Sequence, residues 1–118
     1  MTEYLLHFNQ QWVGDHTEEW FGSRAPLAMA VVEEMKAAGV YVFAGGLEED
    51  GPVFNVDPTG GTPIVSDGPY VETKEFLGGF AVVDVETEED AKYWGARIAE
   101  GCGWPHEIRR FGRHPQLD

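Results

Sequence analysis

The hydrophobic positions change period along the chain, and each change marks an element. Residues 3 to 8 (Glu-Tyr-Leu-Leu-His-Phe) predict a first strand, with Tyr4, Leu6 and Phe8 on one face and Leu5, His7 and Asn9 on the other. Residues 9 to 24 read as a connection with a helical turn at Thr17 to Phe21. Over 25 to 38, Leu27, Ala30, Val31, Met35 and Ala38 recur at helical spacing, with Pro26 suited to a first turn and Gly39 to a stop. A second strand is expected at about 40 to 46. Short strands near 53 to 56 and 63 to 66 flank Asp57-Pro58-Thr59-Gly60-Gly61-Thr62, a hairpin loop. Residues 67 to 78 form a polar loop. Residues 79 to 85 are the clearest strand. A second helix follows at about 88 to 100, capped by Thr87, ended by Gly101 and striped by Ala91, Trp94 and Ile98. A last strand covers about 105 to 111.

The order β-α-β, hairpin, β-α-β predicts one α+β domain, a ferredoxin-like protomer in which two helices cover a mainly antiparallel sheet. In the strand at 79 to 85, Phe80 and Val82 point one way, and Ala81, Val83 and Val85 the other. Two helices cover one face, so the second apolar face is expected to meet a second subunit.

Composition narrows the classes. With 21 acidic against 8 basic residues and a formal net charge of −13, nucleic acid and anionic membrane surfaces are excluded as partners, because both need clustered Lys and Arg. Cys102 is the only cysteine, so no internal disulfide forms. The Met-Thr-Glu start carries no secretory signal, and no apolar run approaches membrane-spanning length. These features predict a cytoplasmic protein.

The segment Asp67-Gly68-Pro69-Tyr70-Val71-Glu72-Thr73-Lys74-Glu75, followed by Leu77-Gly78-Gly79-Phe80, resembles the signature of the DGPF group of YCII-related proteins, with Tyr70 where Phe is usual and Val71 where Ala is usual. The helix ending Glu34-Met35-Lys36-Ala37-Ala38-Gly39-Val40 and the Gly45-Gly46-Leu47 segment are similar to that family too. The resemblance covers residues 3 to 111, leaving 112 to 118 as a C-terminal tail. It implies a dimeric α+β barrel with no metal or organic cofactor, and no settled reaction. Some relatives act on small ring compounds, and related domains occur beside or fused to alternative sigma factors. Family members often carry a His near the position of Ala28, and the acid–base chemistry proposed for YCII-type proteins rests on a His–Asp pair. Alanine transfers no proton, so this chain departs from that scheme.

On residue chemistry, the signature loop offers Asp67, Glu72 and Lys74 close together, either facing a ligand or bracing the loop through mutual pairing. All three are expected to be at least partly buried, with Lys74 paired to a carboxylate. His7 sits mid-strand and is the leading general-base or ligand-contact candidate, against a satisfied interior histidine. His16, His106 and His114 have no metal-ligand spacing with one another or with Cys102, so no metal site is expected. Of the four tryptophans, Trp94 belongs to the core stripe, and Trp12 and Trp20 fit a pocket lid as well as simple packing.

Two functions follow. In the first, the homodimer binds a small organic molecule in a dimer cavity through His7, Asp67, Glu72 and Lys74, with or without an acid–base step. In the second, the domain is a non-catalytic regulatory or interaction module, associated with a sigma factor as some relatives are. Whether it is an enzyme is left open by the residues.

Overall fold

A computed structural model describes residues 1–70, 73 and 75–112. In chain order it contains β1 (Thr2–Asn9), a short 3-10 turn (Gln10–Trp12), α1 (Glu18–Ala37), β2 (Tyr41–Gly46), β3 (Phe54–Asp57), β4 (Ile64–Asp67), β5 (Leu77–Val85), α2 (Glu88–Cys102) and β6 (Glu107–Arg110). Four strands form one sheet in the order β2-β5-β1-β6, with every neighbouring pair antiparallel. This is the split β-α-β topology of the ferredoxin-like class. β3 and β4 pair separately as a two-stranded hairpin. Of the tail at 112 to 118, residues 113–118 lie outside the described residues.

Strand alternation sets the core. Register places Tyr4 opposite Val83 and Leu6 opposite Ala81, so one face of β1 and β5 carries a continuous apolar row. That row packs on Val31 and Met35 of α1 and on Ala91, Trp94 and Ile98 of α2. Both helices cover this face, and the molecule is only 19 Å across its thinnest dimension, the depth of one helix layer on one sheet. On the opposite face Leu5, Phe80 and Val82 stay half-buried, and Phe43 remains 53% exposed.

α1 departs from its expected span. It begins at Glu18, where the Thr17 side chain accepts from the Trp20 N–H at 3.0 Å, and Glu18 and Glu19 lie at the positive helix end. Pro26 therefore stands inside the helix rather than in its first turn. It removes the bond to the Gly22 carbonyl, one lost hydrogen bond that the cap at Thr17 offsets. The inward face also differs. Ala28, Val31, Val32 and Met35 turn toward the sheet, while Leu27 and Ala30 face solvent. α1 is apolar on several sides, so periodicity alone left its rotation undetermined. Its end matches expectation: Gly39 at φ +74° donates to the Lys36 carbonyl and Val40 to that of Met35, a Schellman closure.

α2 runs beyond Gly101 to Cys102, and Gly103 at φ +95° supplies the left-handed stop. Gly101 instead lets the helices approach: a Cβ there would stand 3.1 Å from both the Ala28 Cα and the Leu27 carbonyl oxygen. Arg97 bridges to Glu34 at 2.6 Å across the same helix pair.

Candidate functional site

Consecutive residues of a strand point to opposite faces, so Phe8 and His7 enter different concavities. The helix-side cleft has a volume of about 420 Å³. Its floor is Phe8, Ala44 and Ala81, one wall is Ala28, Met29 and Val32 of α1, and its end is Cys102, Trp104 and His106. The signature glycines make room for this floor. A Cβ on Gly78 would overlap the Phe8 ring, and one on Gly79 would stand 3.0 Å from the Gly45 carbonyl oxygen. Glu33 and Lys36, paired at 3.3 Å, lie at the cleft's edge.

The inner end is an aromatic corner. Phe8 meets Trp104 edge-on with centroids 5.1 Å apart, and the His106 ring at 5.2 Å. Trp104 follows directly on the Gly103 turn, and two residues later His106 Nδ1 lies 3.0 Å from the Trp104 carbonyl. With Nδ1 donating there, Nε2 is left as an acceptor. Burial pushes the imidazole toward its neutral form, helped by the nearby His7. The Trp104 indole N–H is buried without a hydrogen-bond partner. Burial also pushes the Cys102 thiol up to about 11 despite the Arg24 charge, so it is a poor nucleophile at neutral pH.

The second concavity, about 240 Å³, lies on the open sheet face and is lined by Leu5, His7, Trp12, Glu75, Phe76 and Arg109. His7 is 8% exposed. Its Nε2 stands 3.5 Å from Glu107 Oε1, but without the alignment of a hydrogen bond, and is otherwise unpartnered. Asn9 is also buried, and its side chain accepts from the Gln11 N–H at 2.8 Å, which caps the 3-10 turn.

The signature carboxylate Asp67 lies elsewhere. It ends β4 in the separate hairpin and is exposed, contrary to the expected partial burial. Pairing only with β3, the hairpin leaves this position open to water. Glu72 and Lys74 lie outside the described residues, as does His114. Trp12 lines the His7 pocket, whereas Trp20 stacks on His16 with centroids 3.6 Å apart. No group of three or more potential metal ligands occurs among the described residues. Sequence reasoning passed over His106 after testing it only for metal spacing. The available signal was Trp104-Pro105-His106 directly behind a helix stop, where an extended segment sets both rings against one end of the sheet.

No helix is long and apolar enough to cross a membrane among the described residues. The family model of the YCII-related domain matches residues 23–102. A search of the curated proteins finds no match.

Proposed function

Because the chain belongs to the YCII-related domain family, we propose that it binds a small, largely apolar organic molecule in the helix-side cleft, as a homodimer joined through the open sheet faces. The observation that carries this reading is the cleft itself, floored by Phe8, Ala44 and Ala81, walled by Met29 and Val32 and ended by the Trp104 and His106 rings. Phe8 and Met29 would cover the ligand's apolar body, and the Trp104 ring would close its inner end. The signature loop supports placement in the DGPF group. The open-face pocket at His7, closed by a second copy, is the dimer cavity favoured by residue chemistry alone. The helix-side cleft is preferred because it is larger, about 420 against 240 Å³, and already walled within one chain.

An acid–base step in the cleft would fall to His106, whose neutral ring offers Nε2 as a base. The alternative is a non-catalytic regulatory module linked to a sigma factor. Ala28 in the cleft wall and the protonated Cys102 thiol favour it, since neither moves a proton at neutral pH.

Thermal-shift measurements with acetophenone, a neutral aryl ketone, test the cleft. Wild type is expected to melt higher with the ketone, Trp104→Phe to respond less, and Ala28→Phe, which fills the cleft, to show no response. No response in wild type at millimolar ketone, or an equal response in Ala28→Phe, rejects it.

A further inference from the structure

The helix-side cleft is apolar along most of its length, and its formal charges are gathered at one place. Only Glu33 and Lys36 bring charge to its lining, and Lys36 is its one cation among the described residues. Both belong to the last turns of α1, away from the aromatic corner. Ala28 marks the corner, since a Cβ on Gly101 would stand 3.1 Å from its Cα, and Cys102 follows directly. Lys36 lies about two turns further along the helix, a rise of about 12 Å. β2 spans the same interval. Its last residue, Gly46, lies beside Gly79 at the corner, and its first, Tyr41, lies beneath the Lys36 ammonium.

The two charges are not held alike. Lys36 Nζ stands 3.3 Å from Glu33 Oε1 and 5.1 Å from the centroid of the Tyr41 ring. The ring face attracts the ammonium, and the negative end of α1 favours a cation in its last turn. Glu33 is held by Lys36 alone among the described residues, and its side chain is 71% exposed against 49% for Lys36. An incoming anion can therefore turn Glu33 out into water while the ammonium stays on the ring. An incoming cation has to strip Glu33 from Lys36 and then stand beside a like charge. The neighbouring Glu34 does not compete for Lys36, because Arg97 engages it at 2.6 Å from α2.

Resting on the cleft reading above, we infer that the cleft takes an arylalkyl carboxylate, with its ring against Phe8 and Trp104 and its carboxylate on Lys36. The interval between the corner and the ammonium suits a ring carrying a short alkyl chain, and the apolar floor of Ala44 and Ala81 covers that chain. Lys36 is then the residue that sets specificity, and Glu33 is the built-in anion that the ligand replaces. The net charge of −13 opposes an anion at long range, but screening limits that field to about 8 Å at 0.15 M salt, so the cation at the cleft edge governs the bound state.

Three probes with one apolar body test the assignment on the full chain: 4-phenylbutyrate, 4-phenylbutanol and 4-phenylbutylamine, titrated calorimetrically at low salt. The acid should bind about three- to fivefold tighter than the alcohol, the range of a half-exposed ion pair, and the amine weakest. In Lys36→Met the acid-to-alcohol affinity ratio should fall to about one. In Glu33→Gln, which frees the ammonium, the ratio should rise. High salt should shrink the ratio in wild type. Both positions are exposed, and circular dichroism checks that each variant is folded. An acid that binds no tighter than the alcohol, an amine that binds tightest, or an acid preference that survives Lys36→Met overturns this assignment and leaves the cleft reading standing. Failure of acetophenone and of all three probes to bind wild type overturns the cleft reading, and the assignment with it.

Discussion

His106 and Cys102 are both held neutral by burial, with opposite consequences along the pH axis. The folded state lowers the His106 pKa from 6.5, so the unfolded chain binds more protons below that value. Its contribution to stability is present above pH 6.5 and is lost as pH falls through the folded value. Cys102 is raised from 9.0 to about 11, so its contribution is present below pH 9 and lost between 9 and 11. Urea midpoints should therefore fall from pH 7.5 to 5.5 in wild type, and fall less in His106→Gln. Equal slopes in the two proteins would remove His106 as the cause. Native Cys102 should react slowly with iodoacetamide at pH 8 and rapidly in urea. At this scale the sequence was legible where alternation governs. The face occupied by His7 follows from its position between Leu6 and Phe8. His106 was not legible, because its setting depends on a left-handed turn at Gly103 and on space beside Phe8 opened by glycines far away in sequence.

Elements were read well where a cap or an alternation was unambiguous. Thr87 caps α2 as expected, accepting from the Asp90 N–H at 3.0 Å, and β5 buries alternate residues as its pattern demands. Errors came from residues with two uses. Pro26 suits a first turn, yet Thr17 starts α1 two turns earlier; Gly101 suits a helix stop, yet its missing Cβ serves the contact with α1. These uses differ in energy and can be separated. Thr87→Ala should cost about 1 kcal/mol, the usual value of an N-cap, and leave ligand binding unchanged. Gly101→Val should cost about 1–3 kcal/mol as an overpacked contact against backbone atoms. Because it pushes on Ala28 and Leu27, it should also disturb the helix-side cleft. Chemical denaturation paired with acetophenone binding distinguishes the two. A Gly101→Val protein with wild-type stability would mean that α1 yields freely.

At the scale of the molecule, the order of elements was enough to predict the sheet, because the split β-α-β connection leaves few alternatives. The hairpin was predicted too, but not its separation from the main sheet, nor the exposure of Phe54, Val56, Ile64 and Val65. The apolar patterning of β3 and β4 does not specify what covers them. The same gap applies to the open sheet face, and there charge gives a test. Each copy carries a net charge of −13, so two copies repel at long range, whereas the face proposed to join them is apolar at its centre. Screening shortens the repulsion, from a Debye length of roughly 30 Å at 0.01 M salt to about 8 Å at 0.15 M. The proposed dimer should therefore tighten as salt rises over this range, measured by sedimentation equilibrium. Val82→Glu, which puts a carboxylate at the middle of the face, should leave the chain folded and the dimer weak at every salt concentration. A wild-type dimer that loosens with salt would instead mean that exposed ion pairs hold it, and that the apolar centre of the face lies outside the contact.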